Sequence, residues 1–314
     1  MAARILFLDS NHPSMIGALR AHGYVCDEDY TSPKETILEK ICAYDGVVIR
    51  SRFRIEKNMI DAAVKLKCIA RAGAGMENID VTYAESKGIR CVHAPEGNRD
   101  AVGEQAVGML LALMNNLLRA DREVRKGTWI REGNRGYELE GKTVGIIGYG
   151  NMGSAFAQRL RGFNVTILAH DKYKTGFGDA FVKESTMEEL FEKADVLSIH
   201  LPLTEETRYL VNDDFLSRFK KPIWFINTAR GKNVDTAALV KAMEAGIVRG
   251  ACLDVLEYES VSFEALDAAS LPQPFQFLIR SDKVILSPHI AGWTFESHEK
   301  IAKTLAGKMI AVLG

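Results

Sequence analysis

The chain has 314 residues, a length that calls for two domains or one large α/β unit rather than one small module. Its 40 Lys and Arg stand against 41 Asp and Glu, which leaves no basic field for gripping a nucleic-acid backbone. Hydrophobic residues at 47% and charged residues at 26% exclude disorder and collagen and can fill a sizeable core.

The opening Met-Ala-Ala-Arg-Ile-Leu-Phe-Leu-Asp puts a short apolar run before Asp9 and reads as a first β-strand, without the long apolar region and cleavage site of a signal peptide. Further strand-like runs at 46–49, 66–70 and 89–92 alternate with helical segments. A second series follows at 143–147, 165–168, 196–199, 223–226, 250–255 and 284–286. Such alternation predicts parallel strands with crossover helices, and two series predict two doubly wound α/β domains.

Between the series, residues 101–120 read as one long helix, apolar around most of its circumference through Val102, Val107, Met109, Leu110, Leu111, Leu113, Met114, Leu117 and Leu118. Such a helix must be covered, either by packing between domains or by a second subunit, and both readings stand. Residues 260–282 break the rhythm and predict a long surface loop with a short helix around 263–268. Residues 302–313 predict an amphipathic helix that returns to the first domain. No apolar run approaches the roughly 18 residues of a membrane span. The five cysteines are scattered and never form C-x-x-C, which predicts reduced thiols, a cytoplasmic setting and no metal site.

The run 142–147 leads into Gly148-Tyr149-Gly150-Asn151-Met152-Gly153 and then a helical segment, so this G-x-G-x-x-G has the strand before it and the helix after it that dinucleotide binding requires. Gly148 serves the tight turn, Gly150 the approach of a pyrophosphate to the backbone, and Gly153 helix-to-strand packing, with the Asn151 and Met152 N–H groups at the helix start. Asp171 follows Gly153 by 18 residues, where a carboxylate accepts hydrogen bonds from an adenosine ribose and repels a 2′-phosphate. NAD is therefore expected rather than NADP, although Lys172 beside it is a cation that could serve NADP.

Three segments downstream each follow an apolar strand: Asn227-Thr228-Ala229-Arg230-Gly231, the acidic run from Leu253 through Asp254 and Glu257 to Glu259, and Ser287-Pro288-His289-Ile290-Ala291-Gly292. With Arg71 to Asp80, Glu138 to Thr143, and His200-Leu201-Pro202-Leu203-Thr204 with Thr207, these motifs make nearly the whole chain resemble the D-isomer-specific 2-hydroxyacid dehydrogenases, the family of phosphoglycerate, glyoxylate and hydroxypyruvate reductases. The resemblance implies a flavodoxin-like substrate domain formed by 1–98 and 288–314, and a Rossmann NAD-binding domain formed by 99–287. The two crossings would act as a hinge whose closure excludes water from hydride transfer.

For the site, the resemblance implies that Arg230 clamps the substrate carboxylate, His289 exchanges the carbonyl proton and Glu259 orients the imidazole. Asp254 would lie beside the nicotinamide, while Pro202, Thr207 and Thr228 line the cofactor. Arg50, Ser51, Ala74 and Gly75 would hold the substrate, a small 2-oxo or 2-hydroxy acid, and the enzyme would be a homodimer. A proline usually follows the glutamate in this family, whereas here Ser260 does, and Glu257 stays in reserve for the role. The alternation Arg50, Arg52, Arg54 further predicts an extended strip of three guanidinium groups facing a second anionic group, or else a solvated face. A non-catalytic NAD-sensing protein of the same fold is the alternative function. Formate dehydrogenase is disfavoured, because an amide replaces the glutamate there.

Overall fold

The computed structural model describes residues 2–259 and 272–314; the short helix expected around 263–268 lies outside them. The chain divides into two compact units, Met1–Arg99 with Trp293–Gly314, and Asp100–Gly292. The second crossing falls after Gly292 rather than at 288, because Ile290 and Ala291 are tied by hydrogen bonds to Asp254 of the second unit.

The first unit is built on β1 (Arg4–Phe7), β2 (Val25–Glu28), β3 (Gly46–Ile49), β4 (Cys68–Arg71) and β5 (Arg90–His93), all parallel in the order β2-β1-β3-β4-β5. This is the flavodoxin-like order. The helix Phe295–Leu313 packs on the helix Pro13–Ala21 and on β4 and β5, burying Ile301, Leu305 and Met309. It starts with a reciprocal cap: Thr294 Oγ1 accepts from the Ser297 N–H, and the Thr294 N–H donates to Ser297 Oγ, both at 3.0 Å.

The second unit carries β6 (Thr143–Ile147), β7 (Thr166–His170), β8 (Val182–Glu184), β9 (Val196–Ile199), β10 (Ile223–Asn227), β11 (Val248–Leu253) and β12 (Val284–Leu286). The sheet is parallel, ordered β12-β11-β10-β9-β6-β7-β8, so the strand order reverses beside β6 and puts the switch point between β6 and β9. β10 is buried at every residue, as expected for a strand covered on both faces.

Two expectations change. The helix expected over 101–120 is two helices, Pro95–Met114 and Leu117–Arg125, bent by 61° where Asn116 takes a left-handed φ of 54°. Asparagine tolerates that conformation, and the Asn115 side chain bonds back to the Leu111 carbonyl. Within the expected loop, Gln273–Arg280 is helical, begins just after Pro272 and buries Phe275 and Leu278. No single helix among the described residues is long and apolar enough to cross a membrane. All five cysteines are free thiols: Cys26, Cys68 and Cys252 are buried, Cys91 is half-buried and Cys42 is exposed. Burial pushes the Cys68 thiol up to about 12 and the Cys91 thiol up to about 11.

Candidate active site

Three adjacent strands of the second unit, β10, β11 and β12, each deliver one turn at their carboxyl ends. After β10, Asn227 folds the first turn: its Oδ1 accepts from the Ala229 N–H at 2.9 Å and its Nδ2 donates to the Arg230 carbonyl at 3.0 Å. A Cβ on Gly231 would lie 1.9 Å from the Leu256 carbonyl oxygen, so only glycine lets this turn press against the one after β11. Arg230 Nη1 donates to the Ala229 carbonyl at 2.6 Å.

After β11, Glu257 and Glu259 take different work. Glu257 accepts from Tyr209 Oη and from the Thr236 N–H that opens the helix Thr236–Glu244, both at 3.0 Å. Glu259 accepts from the Leu256 N–H at 2.5 Å through Oε1, and its Oε2 lies 2.9 Å from His289 Nδ1. A carboxylate can only accept, so Nδ1 carries the hydrogen and the tautomer of the ring is fixed.

After β12, His289 has a left-handed φ of 56°, a conformation that costs a non-glycine residue about 1 kcal/mol or more. Its N–H donates to the Asp254 carbonyl at 2.7 Å, and the next two N–H groups, of Ile290 and Ala291, donate to the two Asp254 carboxylate oxygens at 2.9 Å each. Asp254 is wholly buried.

At the switch point, Gly148 has a φ of 89°, and a Cβ there would meet the His200 carbonyl at 2.6 Å. A Cβ on Gly153 would meet the Gly148 carbonyl at 2.1 Å, whereas nothing lies within 4 Å of one on Gly150. The helix Asn151–Arg159 has no side-chain cap, so its opening N–H groups face an open cradle. Asp171 accepts from the Tyr149 N–H at 2.8 Å and from the N–H groups of Tyr173 and Lys174. A carboxylate has about four acceptor sites, so one remains for a ribose hydroxyl. Thr228 Oγ1, at the end of β10, is buried without a partner among the described residues. An uncapped helix start over a glycine cradle, an acceptor beside it and an orphaned hydroxyl fit a dinucleotide.

Residues 107–291 match the family model described as D-isomer specific 2-hydroxyacid dehydrogenase, NAD binding domain. The chain belongs to this family. It is 38% identical to a glyoxylate reductase of Thermofilum pendens over 293 residues, 91% of this chain and 83% of the relative. It is 35% identical to a hydroxypyruvate reductase of Thermotoga maritima over 281 residues, 90% of this chain and 89% of the relative. It is similar in structure to D-lactate dehydrogenase from Aquifex aeolicus complexed with NAD and lactic acid, with a TM-score of 0.83 and 28% identity, covering 98% of this chain and 94% of the other. The chain is thus an NAD-dependent D-2-hydroxyacid dehydrogenase, an oxidoreductase of small 2-oxo and 2-hydroxy acids.

Several expected site residues of this dehydrogenase are held by local hydrogen bonds. The Asp254 carboxylate is wholly buried and accepts from Ser287 Oγ and from the Ile290 and Ala291 N–H groups, so it anchors the His289 turn. Thr207 spends its hydroxyl inside its own loop, donating to the Pro202 carbonyl at 2.6 Å and accepting from the Thr204 N–H at 2.8 Å. It shapes the loop that presents Pro202. Lys172 pairs with Glu206, which also accepts from Tyr173 Oη at 2.5 Å, so the cation next to Asp171 is neutralised. A cavity of about 430 Å³ opens beside Asp171, with Lys174, Phe177, Glu184 and Glu188 among its lining residues. His200 packs against Phe156 and bonds Ser198 in a largely covered position, and desolvation lowers its pKa to about 3.

In the first unit, the strip of three arginines does not form, because residues 50–53 are bends rather than strand. Asp9 Oδ2 gathers the N–H groups of Arg50 and Ser51, at 2.6 and 3.2 Å. The Arg52 guanidinium turns onto the carbonyls of Leu8, Asp29 and Ser32. Arg50 lies 4.6 Å over the Trp293 ring. In the turn after β4, the Ala74 carbonyl is 2.5 Å from His93 Nδ1, while the Ala74 and Gly75 N–H groups meet no acceptor among the described residues. Sequence reasoning missed Asp9, Gln105, Glu206 and Asn233. Asn233 is buried and ties the Thr207 carbonyl to the Pro202 carbonyl through its Nδ2. None of these lies in a motif, and their partners are distant in sequence.

Proposed function

We propose that Arg230, Glu259 and His289 are the catalytic residues and that the substrate is a short 2-oxo acid of the glyoxylate or hydroxypyruvate type. The observation that carries this is the Glu259–His289 pair at 2.9 Å, which turns a histidine into a proton donor of fixed tautomer. Bound NADH supplies the hydride to the carbonyl carbon. His289 Nε2 gives its proton to the carbonyl oxygen, which yields the 2-hydroxy acid, and takes it back in the reverse direction. Arg230 holds the carboxylate with a planar fork and draws charge from the adjacent carbonyl. In the first unit, the family resemblance assigns the substrate to Arg50, Ser51, Ala74 and Gly75, and the Ala74 and Gly75 N–H groups meet no acceptor among the described residues. Gly148, Gly150, Asn151, Met152 and Gly153 would hold the pyrophosphate, Asp171 the ribose, and Pro202 and Thr228 the nicotinamide end.

The preference for an unphosphorylated acid rests on Arg52. With its guanidinium committed to three carbonyls, Arg52 is withdrawn from between Arg50, which lies over Trp293, and exposed Arg54, so no continuous strip is there to demand a dianion. The Glu259–His289 pair disfavours a merely sensing protein, which needs no proton donor. NADH consumption by purified protein against glyoxylate, hydroxypyruvate, pyruvate, 2-oxoglutarate and phosphohydroxypyruvate tests the reading. The first two should give the highest kcat/KM, and His289→Ala should lower kcat by about 10²-fold or more with NADH binding little changed. A phosphorylated substrate at the head of the series overturns the substrate assignment.

A second copy of this chain is the proposed partner, supported by the exposed apolar side chains Leu117, Leu118, Val124, Trp129 and Ile130. Light scattering should give twice the chain mass, and Trp129→Glu should shift it toward the single chain. Free thiols throughout support a cytoplasmic setting.

A further inference from the structure

Gln105 stands on the helix Pro95–Met114, 149 residues from Asp254 in sequence, and takes no part in the chemistry above. Its Nε2 donates to Asp254 Oδ1 at 3.1 Å and to Ser287 Oγ at 3.0 Å, and Ser287 Oγ lies 2.6 Å from the same Asp254 oxygen. An amide nitrogen has two hydrogens and accepts nothing, so the serine oxygen must accept from Gln105 and give its own hydrogen to Asp254. The directions in this triangle are therefore fixed. Asp254 is wholly buried, and its carboxylate is satisfied by four uncharged donors: Gln105, Ser287 and the Ile290 and Ala291 N–H groups. Among the described residues no lysine, arginine or histidine is paired with it.

We propose that Gln105 is a positioning residue for proton transfer: it holds the Asp254 carboxylate in the one orientation that meets the Ile290 and Ala291 N–H groups, and so keeps His289 in its left-handed backbone with its ring on Glu259. This rests on the reading of His289 as the proton donor. A leucine at 105 would leave Asp254 Oδ1 and Ser287 Oγ each short of a donor in a dry interior. The carboxylate would then rotate or draw in water, and either change loosens its hold on the His289 turn. The substitution Gln105→Glu would set a second carboxyl against Asp254, and two such groups share one proton. While that proton is held, the introduced carboxyl can donate to Asp254 and replace the amide in part; once it leaves, the two charges repel.

The test is steady-state reduction by the full-length wild type, Gln105→Leu and Gln105→Glu, each over a pH series and in H2O and D2O. Gln105→Leu should lower kcat about tenfold or more, keep KM for NADH within about twofold, and raise the solvent isotope effect on kcat as proton delivery becomes limiting. Gln105→Glu should work best at acid pH and lose activity through one deprotonation at a pH where the wild type does not. A Gln105→Leu kcat within twofold of wild type, a loss confined to KM for NADH, or a Gln105→Glu profile that superimposes on the wild type would overturn the proposal. If Gln105→Leu does not fold, the Gln105→Glu profile decides alone. Loss of activity in His289→Ala beside an indifferent Gln105→Leu overturns this inference only, whereas an active His289→Ala overturns the proton-donor reading and this inference with it.

Discussion

Glu257 and Glu259 stand two residues apart on one turn, and only hydrogen bonding tells them apart. Glu257 is held by Tyr209 and the start of a helix, while Glu259 is held by His289. The motif pointed to Glu259, and the different partners of its neighbour came into view only with the fold. Asp254 differs in that its place in the motif was legible and its hydrogen-bond donors were not: they come from residues 105, 287, 290 and 291.

At the same scale, we propose that Asp171 and the Lys172–Glu206 pair set the cofactor preference. We expect NADH to be favoured over NADPH by about tenfold or more in kcat/KM. Asp171→Ala should narrow the ratio, and adding Glu206→Ala should narrow it further by freeing Lys172. Equal use of both cofactors by the wild type would contradict this. His200 gives an acid-stability prediction. Its pKa falls from 6.5 to about 3 on burial, so the unfolded chain binds the proton that the fold refuses. Stability from this residue is intact above 6.5 and lost as pH falls toward 3, by about 1.4 kcal/mol per pH unit. Denaturant titrations from pH 7 to 4 should show a shallower decline in His200→Gln than in wild type; parallel slopes would remove His200 from the account.

Among the elements, the buried strands were the most legible, because continuous apolar runs leave little choice. β2 and β8 escaped notice: Val-Cys-Asp-Glu and Val-Lys-Glu are short, charged and at the edges of their sheets, where one side needs no apolar cover. The break at Asn116 was hidden because apolar residues continue through it, and the left-handed turn depends on a backbone angle that periodicity does not report. At this scale Gly231 is decisive. Gly231→Ala must push the Arg230 turn away from the turn carrying Glu259, since a Cβ would lie 1.9 Å from the Leu256 carbonyl. We expect kcat/KM to fall about 10²-fold, as misplacements near 1 Å do, while NADH affinity measured by fluorescence titration changes little. Unchanged kcat/KM would mean that the two turns act independently.

For the whole molecule, the chain leaves the first unit after Arg99 and re-enters it at Trp293. The returning helix is part of a core, since Ile301, Leu305 and Met309 pack with Ile5, Phe7, Met15 and Leu19. A chain ending at 292 should therefore lose the fold of its first unit, while residues 100–292 keep their own core and NADH binding. Leu305→Ala in the full chain should cost about 2–5 kcal/mol and lower the first transition seen on unfolding. A soluble, cooperatively melting fragment 1–99 would contradict this.

The distribution of thiols makes the molecule a counter of its own opening. Cys42 is exposed, while Cys26, Cys68 and Cys252 are buried, and the half-buried Cys91 has its thiol pushed up to about 11, where little thiolate forms near neutrality. A maleimide should attach rapidly once per native chain and reach the other four sites only when a unit opens. Because Cys26, Cys68 and Cys91 lie in the first unit and Cys252 in the second, the mass of labelled peptides would time the two openings separately, without a mutation or a dye in either core.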